Sequence, residues 1–449
     1  ARVKVTDIYH ALVERCMKEN IQVTFRIDDI KNKYCANPLD KILDCTNLAK
    51  HLRERLESNT DLEYELYLDH DGNLQQFFFI LEGGKEIWKR CKGAVLMYDT
   101  KHGTNRYGLK LGNFVTIDEN GKTHVIASSF VLNEDVESFS WAFKCFADVF
   151  QVFLVVFFTD GDTSMAQATT TIWPTSVHLL CNFHMWKNVY QHMSPLFSDR
   201  THWKVFTDMW WRLCKNSDIG ERAHFCDKFN AMVAFTRQHS TASKEKVDMQ
   251  IQWLDTLASR KHKWAACFTW EHRTYGIHST QRAEAMHSAI AVFCSKQHTI
   301  LEIVKRLEQM AEEQALKSEL LALDSIMGST IGRQGSVFPV ALRMTQNLSG
   351  FATLLLNAQA AQLIAYNCTI HDGDGVLARF HVTRIGTQQE VHALGTADRT
   401  RLADHGISCD HQIQGHIATI TTCTCQFSKC WGIPCRHMFR VMMQLGNSS

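Results

Sequence analysis

Seven consecutive apolar residues, at positions 152–158, constrain the fold of this 449-residue chain more than any other segment. The run is far shorter than the roughly 20 residues of a membrane span, so we expect a strand that is buried on both faces of a sheet. An amphipathic helix that begins at Asp135 is predicted to lead into the run, and Thr159-Asp160-Gly161-Asp162 ends it. Because helices must cover both faces of such a sheet, the sequence predicts an α/β fold.

Other strands of the same sheet are predicted on both sides of the run. The preceding ones lie at residues 94–98, which end on Asp99, and at 111–117 and 124–131. The last two are joined through Asp118-Glu119-Asn120-Gly121, and Asn-Gly between such runs is a strong hairpin signal. The unit is completed by a helix from Ser164, a strand at 177–180 and a helix at 183–190. A hairpin followed by a helix and a fully apolar strand predicts a mixed sheet.

Hydrophobic periodicity divides the chain into six segments. They are a preface of helices and strands at 1–90, the first part of the α/β core at 91–193, an all-helical insertion at 194–276, the completion of the core with the Glu284 helix at 277–330, a helical connector at 331–365, and a cysteine-rich region at 366–449. The insertion holds six of the eleven tryptophans, which we interpret as core residues and not as a base-stacking surface: Trp203, Trp210, Trp211, Trp253, Trp264 and Trp270.

The charge balance limits how this chain can meet nucleic acid. With 48 Lys and Arg against 47 Asp and Glu, the chain has no overall basic field, so any contact with DNA must come from local patches. Its 16 cysteines are scattered through apolar segments except for one dense group near the C-terminus. No block of signal-peptide type occurs in residues 1–10, and we therefore expect reduced thiols in the cytosol or nucleus.

Two aspartates end strongly apolar predicted strands. If those strands are neighbours in the sheet, Asp99 and Asp160 lie at the same edge, where carboxylates can hold Mg²⁺. Glu284, on a later helix, would be the third acid of a site with two metal ions about 3.5–4 Å apart, which performs phosphoryl transfer. The alternative is that these acids are ordinary solvated turn residues, which the spacing alone favours. Asp162 competes with Asp160 for the second position.

The dense cysteine group has the spacing of a metal site. Cys423 and Cys425 are followed by Cys435 and His437, which gives four potential metal ligands within fifteen residues. Zn²⁺ takes four such ligands in a tetrahedron, and three cysteines with one histidine form a common closed structural set. Cys430 is then a spare thiol in the same loop. The alternative is a chance cluster of reduced cysteines.

Five blocks of sequence resemble, in order, the blocks of the Mutator-like (MULE) transposase domain over about residues 20–295. They are Tyr98-Asp99-Thr100, Thr104-Asn105-Arg106-Tyr107, Phe158-Thr159-Asp160-Gly161-Asp162, Val177-His178-Leu179-Leu180-Cys181-Asn182-Phe183-His184, and Ser279-Thr280-Gln281-Arg282-Ala283-Glu284. The cysteine spacing in turn resembles that of a SWIM zinc finger, which has Cys-x-Cys followed by Cys-x-His. A SWIM finger after a MULE domain is the usual arrangement in that family, so the two resemblances support each other.

The resemblance implies a catalytic triad and a second signature. The Asp-Asp-Glu triad maps to Asp99, Asp160 and Glu284, which would bind two Mg²⁺ or Mn²⁺ ions. Cys181 and His184 fall on the Cys-x-x-His signature of the family, whose role the sequence leaves open between packing with a helix-start hydrogen bond and a metal site. The implied fold is a ribonuclease-H-like mixed sheet with an all-helical insertion, plus a small ββα-type module with one structural Zn²⁺ at the C-terminus.

The implied function is that of a nuclear DNA transposase. Such an enzyme cleaves strands at transposon ends and then joins the freed 3′-hydroxyl to target DNA. Its partner is double-stranded DNA, with a homo-oligomer assembled on the DNA and no membrane. Two alternatives remain open: a domesticated, non-enzymatic DNA-binding regulator resembling the far-red-response transcription factors, and a protein-interaction module that acts through the SWIM finger. The intact set of three acids favours the enzyme.

Overall fold

A large mixed sheet covered by helices, and a smaller sheet near the C-terminus, make up the fold. The computed structural model describes residues 13, 38–58, 63–70, 73–151, 153–217, 219–292, 294–332, 348–362, 366–373, 378–384 and 416–446. The predicted α/β class is confirmed. Apart from residue 13, the part of the predicted preface before residue 38 lies outside the described residues, as does much of the cysteine-rich region before residue 416.

The large sheet has seven strands. They are β1 (Tyr64–Leu68), β2 (Leu74–Ile80), β3 (Val95–Lys101), β4 (Lys110–Ile117), β5 (Thr123–Val131), β6 (Val156–Thr159) and β7 (Val177–Leu180). Their order across the sheet is β1-β2-β5-β4-β3-β6-β7. The pairs β3-β6 and β6-β7 are parallel and the other pairs are antiparallel, so the predicted mixed sheet is confirmed.

Helices precede, connect and follow these strands. They are α1 (Pro38–Ser58), α2 (Gly84–Arg90), α3 (Val136–Phe150), α4 (Thr163–Ile172), α5 (Asn182–Met193), α6 (Arg200–Lys215), α7 (Glu221–His239), α8 (Lys244–Ser259), α9 (Ala266–Thr269), α10 (Gln281–Ala291), α11 (Ile300–Gly332), α12 (Gly350–Ala361), α13 (Phe427–Trp431) and α14 (Arg436–Gly446). The side chain of Asp135 accepts a hydrogen bond from Ser138 N at 2.8 Å, so Asp135 caps α3 as predicted. Among the described residues, no helix is both long and apolar enough to cross a membrane.

The strand in the apolar run is shorter than the seven residues predicted. Its ladder with Val95 of β3 and Val177 of β7 begins at Val156, although Val155 N already donates to Gly93 O at 2.9 Å. Phe153 is 62% exposed although Leu154 is buried, so the early part of the run is buried only in part. Residue 152 lies outside the described residues.

Alternate residues of β3 face opposite sides of the large sheet. Val95 and Met97 join the core formed with α1, α10 and α11, whereas Leu96 and Tyr98 join an aromatic core formed with α3. Because side chains alternate along a strand, Asp99 lies on the same face as Val95 and Met97. The face that carries Asp99 is therefore the one that α10 covers.

The insertion forms a helical core of its own from α5 to α9. Trp210 and Trp264 are fully buried in it and stack with ring centroids 5.1 Å apart. The other tryptophans of the set are partly buried, with Trp203, Trp211 and Trp253 against this core and Trp270 against the C-terminal one. The predicted core role of these tryptophans agrees with their positions.

The C-terminal part is a three-stranded antiparallel sheet packed with helices. Its strands are β8 (Tyr366–Asp372), β9 (Arg379–Arg384) and β10 (His416–Ala418), in the order β10-β9-β8. Residues of α12, α13 and α14 share one hydrophobic core with these strands. The module is therefore larger than the predicted ββα unit, since a third strand and two more helices take part in it.

Candidate metal centres

Asp99 and Asp160 lie beside each other on adjacent parallel strands. Met97 pairs with Phe158, and the same register two residues further on places Asp99 opposite Asp160. The expected strand end at Asp99 is wrong, because β3 continues to Lys101 and Asp99 pairs with Asn113 of β4. Asp160, in contrast, follows directly after the last residue of β6. The predicted common edge is thus formed by one residue within a strand and one just beyond a strand.

Glu284 approaches this edge from α10, which packs on β3 and β4. One turn further along α10, His287 places Nε2 3.5 Å from Nδ2 of Asn113, the ladder partner of Asp99. Burial first, and then repulsion from the carboxylates of Asp160 and Glu284, raises the pKa of Asp99 from 3.8 to about 7. Asp99 therefore lies close enough to each of the other two acids for their charges to act on it.

Burial also raises the pKa of the other two acids above their ordinary values. A cation near the three carboxyl groups would lower each pKa again, because it stabilises the ionised form. Oε1 of Glu284 is buried, and its neighbour is His184 Nε2 at 3.2 Å. Oxygen ligands of this kind suit Mg²⁺ or Mn²⁺.

The Cys-x-x-His signature contacts the beginning of the Glu284 helix. Cys181 Sγ caps α5 by accepting a hydrogen bond from His184 N at 3.4 Å, and it accepts a second one from Thr280 N at 3.1 Å. His184 Nε2 lies 3.2 Å from Glu284 Oε1. Ligand atoms of Cys181, His184 and Glu284 all lie within 4.8 Å of one another. Asp99 and Asp160 belong to no such close group of three or more ligands among the described residues.

The four predicted zinc ligands come together in the C-terminal module. Cys423, Cys425, Cys435 and His437 are all buried, and their ligand atoms lie within 4.8 Å of one another. His437 Nδ1 is 3.4 Å from Cys423 Sγ and 3.8 Å from Cys435 Sγ. Burial raises the pKa of the Cys423 thiol well above its usual value. Burial would also raise the pKa of Cys435, but its hydrogen bonds with Cys423, Cys425 and His437 bring it well below the usual value. A buried set of three cysteines and one histidine is suited to zinc.

Cys430 lies outside this group, although it stands between two of the ligands in sequence. Its Sγ accepts a hydrogen bond from Gly276 N at 3.2 Å and lies 3.2 Å from Thr274 Oγ1. The thiol therefore faces residues 274–276 and not the four ligands. Sequence spacing gave no sign of these contacts.

His287 lies beside β3 and β4 and was not singled out from the sequence. It is buried beside Asn113, and burial together with the charge of Lys101 lowers the pKa of its imidazole to about 4. Glu284 and His287 are three residues apart on one helix, so they share a helix face. That spacing was the signal that could have placed His287 near the carboxylates.

The comparisons with known proteins match part of the chain to a protein family. Residues 95–188 match the model of the MULE transposase domain, which confirms the predicted resemblance over that segment. The segment contains Asp99, Asp160, Cys181 and His184, and it ends before Glu284.

Several relatives from Arabidopsis thaliana match a larger part of the chain. FAR1-RELATED SEQUENCE 5 is 19% identical over 420 residues, which cover 89% of this chain and 48% of that protein. FAR1-RELATED SEQUENCE 11 is 20% identical over 453 residues, which cover 96% of this chain and 57% of that protein. FAR-RED IMPAIRED RESPONSE 1 is 20% identical over 328 residues, which cover 69% of this chain and 38% of that protein. The chain thus spans about half the length of the first two of these relatives.

Proposed function

We propose that this chain is the catalytic region of a DNA transposase. The proposal rests on the match to the MULE transposase domain and on Asp99, Asp160 and Glu284, which we name the carboxylate edge. The observation that carries the proposal is the register of β3 and β6, which sets Asp99 opposite Asp160 on the face covered by α10. Glu284 on that helix adds a third negative charge that acts on Asp99. Three interacting acids in a partly buried position are costly to the fold, and such costs are typical of a functional site.

Asp99, Asp160 and Glu284 are proposed to hold two Mg²⁺ or Mn²⁺ ions. Bound there, the ions would supply the positive charge that activates a water or a 3′-hydroxyl and stabilises the leaving oxygen during strand cleavage and strand transfer. The substrate is double-stranded DNA, and the proposed location is the nucleus, with assembly of a homo-oligomer on the DNA. Within the sheet, the antiparallel strands β5, β4 and β3 are continued by the parallel strands β6 and β7, which supports the ribonuclease-H-like assignment.

The C-terminal cluster is proposed to hold one structural Zn²⁺. Its four ligands come from positions that resemble a SWIM finger, and they are buried, as expected for a closed tetrahedral site without bound water. Zinc would then supply much of the folding free energy of this small module.

A non-enzymatic DNA-binding regulator is the second candidate. It is favoured by the similarity to FAR-RED IMPAIRED RESPONSE 1 and to the FAR1-related sequences, whose names refer to a light response and not to DNA cleavage. It is also favoured by the position of Glu284, which forms a close group with Cys181 and His184. A regulator needs DNA binding but no metal-dependent cleavage.

DNA nicking and DNA binding, measured side by side, separate the two functions. The enzyme is expected to nick DNA only with Mg²⁺ or Mn²⁺, and Glu284→Gln should remove that activity while DNA binding remains, because the amide keeps the shape and loses the charge. Glu313→Gln, on an exposed helical position, is the matched control. Metal-independent DNA binding by the wild-type chain without any nicking would instead establish the regulator.

A further inference from the structure

The segment that leads into the Glu284 helix contains a strained turn. We name residues 270–280, between α9 and α10, the lead-in segment. Within it, Tyr275 has φ +51° and Gly276 has φ +70°, so two consecutive residues are left-handed. A side chain as large as tyrosine rarely adopts this conformation, which costs free energy and persists only where surrounding contacts enforce it. Those contacts identify what positions Glu284.

The C-terminal module supplies the contacts at the strained turn. Cys430 takes part through both its thiol and its backbone: Sγ accepts a hydrogen bond from Gly276 N at 3.2 Å, and its carbonyl oxygen accepts one from Tyr275 N at 3.1 Å. Tyr275 packs at the margins of both the sheet core and the C-terminal core. One residue of the module thus holds two successive amides of the turn.

The other end of the lead-in segment is held by the Cys-x-x-His signature. Thr280 N donates to Cys181 Sγ at 3.1 Å, and Asn182 N donates to His278 O at 3.0 Å. Glu284 N in turn donates to Thr280 O at 2.9 Å, a helical hydrogen bond that links Glu284 to the end of the lead-in segment. Two buried thiols therefore fix the two ends of a short stretch, and Glu284 follows one turn beyond it.

Further buried contacts dock the module on the insertion. Gln426 is 1% exposed, and its Nε2 donates to Cys267 O at 3.1 Å. Ile219 N donates to Thr424 O at 3.3 Å. Gln426 and Thr424 lie next to the proposed zinc ligands in sequence, so folding of the module around its metal also fixes the residues that make the contact.

We propose that the C-terminal module positions Glu284, and that Cys430 is the positioning residue through which it does so. Cys430 lies five residues after Cys425 and five before Cys435, so the four proposed ligands determine where its thiol stands. The thiol holds the turn at Tyr275-Gly276, and the turn sets the start of α10. This inference rests on the proposed function for the consequence of moving Glu284, but the mechanical coupling itself does not depend on catalysis.

Hydrogen exchange of the full-length chain tests the coupling without an activity assay. In Cys430→Ala the amides of residues 275–284 should exchange about tenfold faster, because the acceptor of Gly276 N is gone, while bound zinc stays unchanged. Cys430→Ser keeps an acceptor and should restore part of the protection. Cys214→Ala, which removes a buried thiol of the insertion core, should leave residues 275–284 as they are. Removal of zinc by a chelator should act like Cys430→Ala on these residues.

Two results would overturn the coupling. One is unchanged exchange at residues 275–284 in both Cys430→Ala and the chelated protein. The other is acceleration that extends equally into β3, β4 and β5, since that would be general destabilisation and not release of a turn.

Nicking kinetics then test the consequence for Glu284. Cys430→Ala should lower kcat about tenfold or more with little change in the KM for DNA, and Cys430→Ser should recover part of the loss. If kcat is unchanged while exchange is faster, the turn does not position Glu284 and the proposal fails. If the wild-type chain nicks no DNA, the proposed function fails, while the exchange measurement still decides the coupling.

Discussion

The carboxylate edge and the C-terminal module are two candidate metal centres that differ in how far apart their ligands lie in sequence. The module gathers its four ligands from residues 423–437, whereas the carboxylate edge gathers three acids from residues 99–284. The cysteine ligands already lie within 4.8 Å of one another and are buried. The three acids interact through their charges but do not form so close a group among the described residues.

This difference follows from what each centre is proposed to do. A structural zinc site is closed, so its ligands can pack against one another and stabilise the module around them. A catalytic site must leave room for substrate and water, so its acids are spaced by a rigid sheet and their mutual repulsion is tolerated. The contrast predicts that removing a ligand destabilises the module but stabilises the carboxylate edge.

The largest effect is expected in the module. Cys435→Ser should abolish zinc binding and unfold residues 416–446, because apparent binding free energies of structural zinc sites are about 10–16 kcal/mol and contribute directly to folding. Elemental analysis with circular dichroism checks this. Cys430→Ser should keep a full equivalent of zinc, and zinc loss in that variant alone would mean that the ligand set has been misassigned.

A large but purely catalytic effect is expected for Asp160. Asp160→Asn should lower Mg²⁺- or Mn²⁺-dependent nicking by at least about a hundredfold, because the amide keeps the volume and removes the charge that holds the cation. The fold should be unaffected.

Asp162 provides the matched control for that substitution. Its side chain accepts a hydrogen bond from Met165 N at 2.9 Å and caps α4, and asparagine caps helices equally well. Asp162→Asn should therefore change nicking by only a few-fold. The assignment of the second acid would be reversed if Asp162→Asn were inactive and Asp160→Asn active.

A moderate gain in folding stability, in contrast to the loss expected for Cys435→Ser, is expected when Asp99 is replaced. The pKa of its carboxyl group is about 7 in the folded chain, against an ordinary value of 3.8 that applies to the unfolded chain. The folded state therefore holds the proton more tightly. Ionisation therefore costs folding stability as pH rises from about 4 to 7, and the full cost is present above pH 7. Asp99→Asn should stabilise the metal-free chain by about 4 kcal/mol at pH 8 and by almost nothing at pH 4.

Urea unfolding of the metal-free protein at several pH values measures this effect. Mg²⁺ or Mn²⁺ should reduce the advantage of the variant at pH 8, because the cation offsets the cost in the wild-type chain. Equal stability of the two proteins at pH 8 without metal would show that the three acids do not interact as described.

The smallest effect is expected at Gly432, where the C-terminal module meets the lead-in segment. Gly432 has φ +72°, and a Cβ there would lie 3.5 Å from the guanidinium of Arg273, so space is sufficient but the backbone is unfavourable for alanine. Gly432→Ala should weaken apparent zinc affinity about tenfold, measured by chelator competition, without changing the stoichiometry. Gly161→Ala, at a position with open space and an ordinary φ, is the control.

The sequence allowed the module to be predicted because its information is local. Four ligand residues within fifteen positions leave few alternative pairings, and the structure brings together the same four. The sheet was predictable for a similar reason, since each strand is a separate apolar run and one hairpin has Asn-Gly at its turn. Strand limits were less accurate, because the apolar run continues upstream of Val156, where the ladders of β6 with β3 and β7 begin.

The remaining features depend on docking between distant segments. Cys430 and Gly276 are 154 residues apart, and Asn113 and His287 are 174 residues apart. No local pattern reports such a contact, because each partner looks like an ordinary buried residue in its own segment. The register of Asp99 with Asp160 was likewise beyond the sequence, which placed both near strand ends but did not fix their alignment.

The hydrogen bond from Asn182 N to His278 O also has an evolutionary consequence. Asn182 is where the chain leaves the sheet, and His278 is where it returns. The hydrogen bond between them therefore closes the loop that contains α6, α7 and α8. The entropy of closing a loop grows only with the logarithm of its length, at about 0.6 kcal/mol for each doubling. Segments within α7 and α8 can therefore lengthen or shorten in related chains while the distance between β7 and the Glu284 helix stays the same.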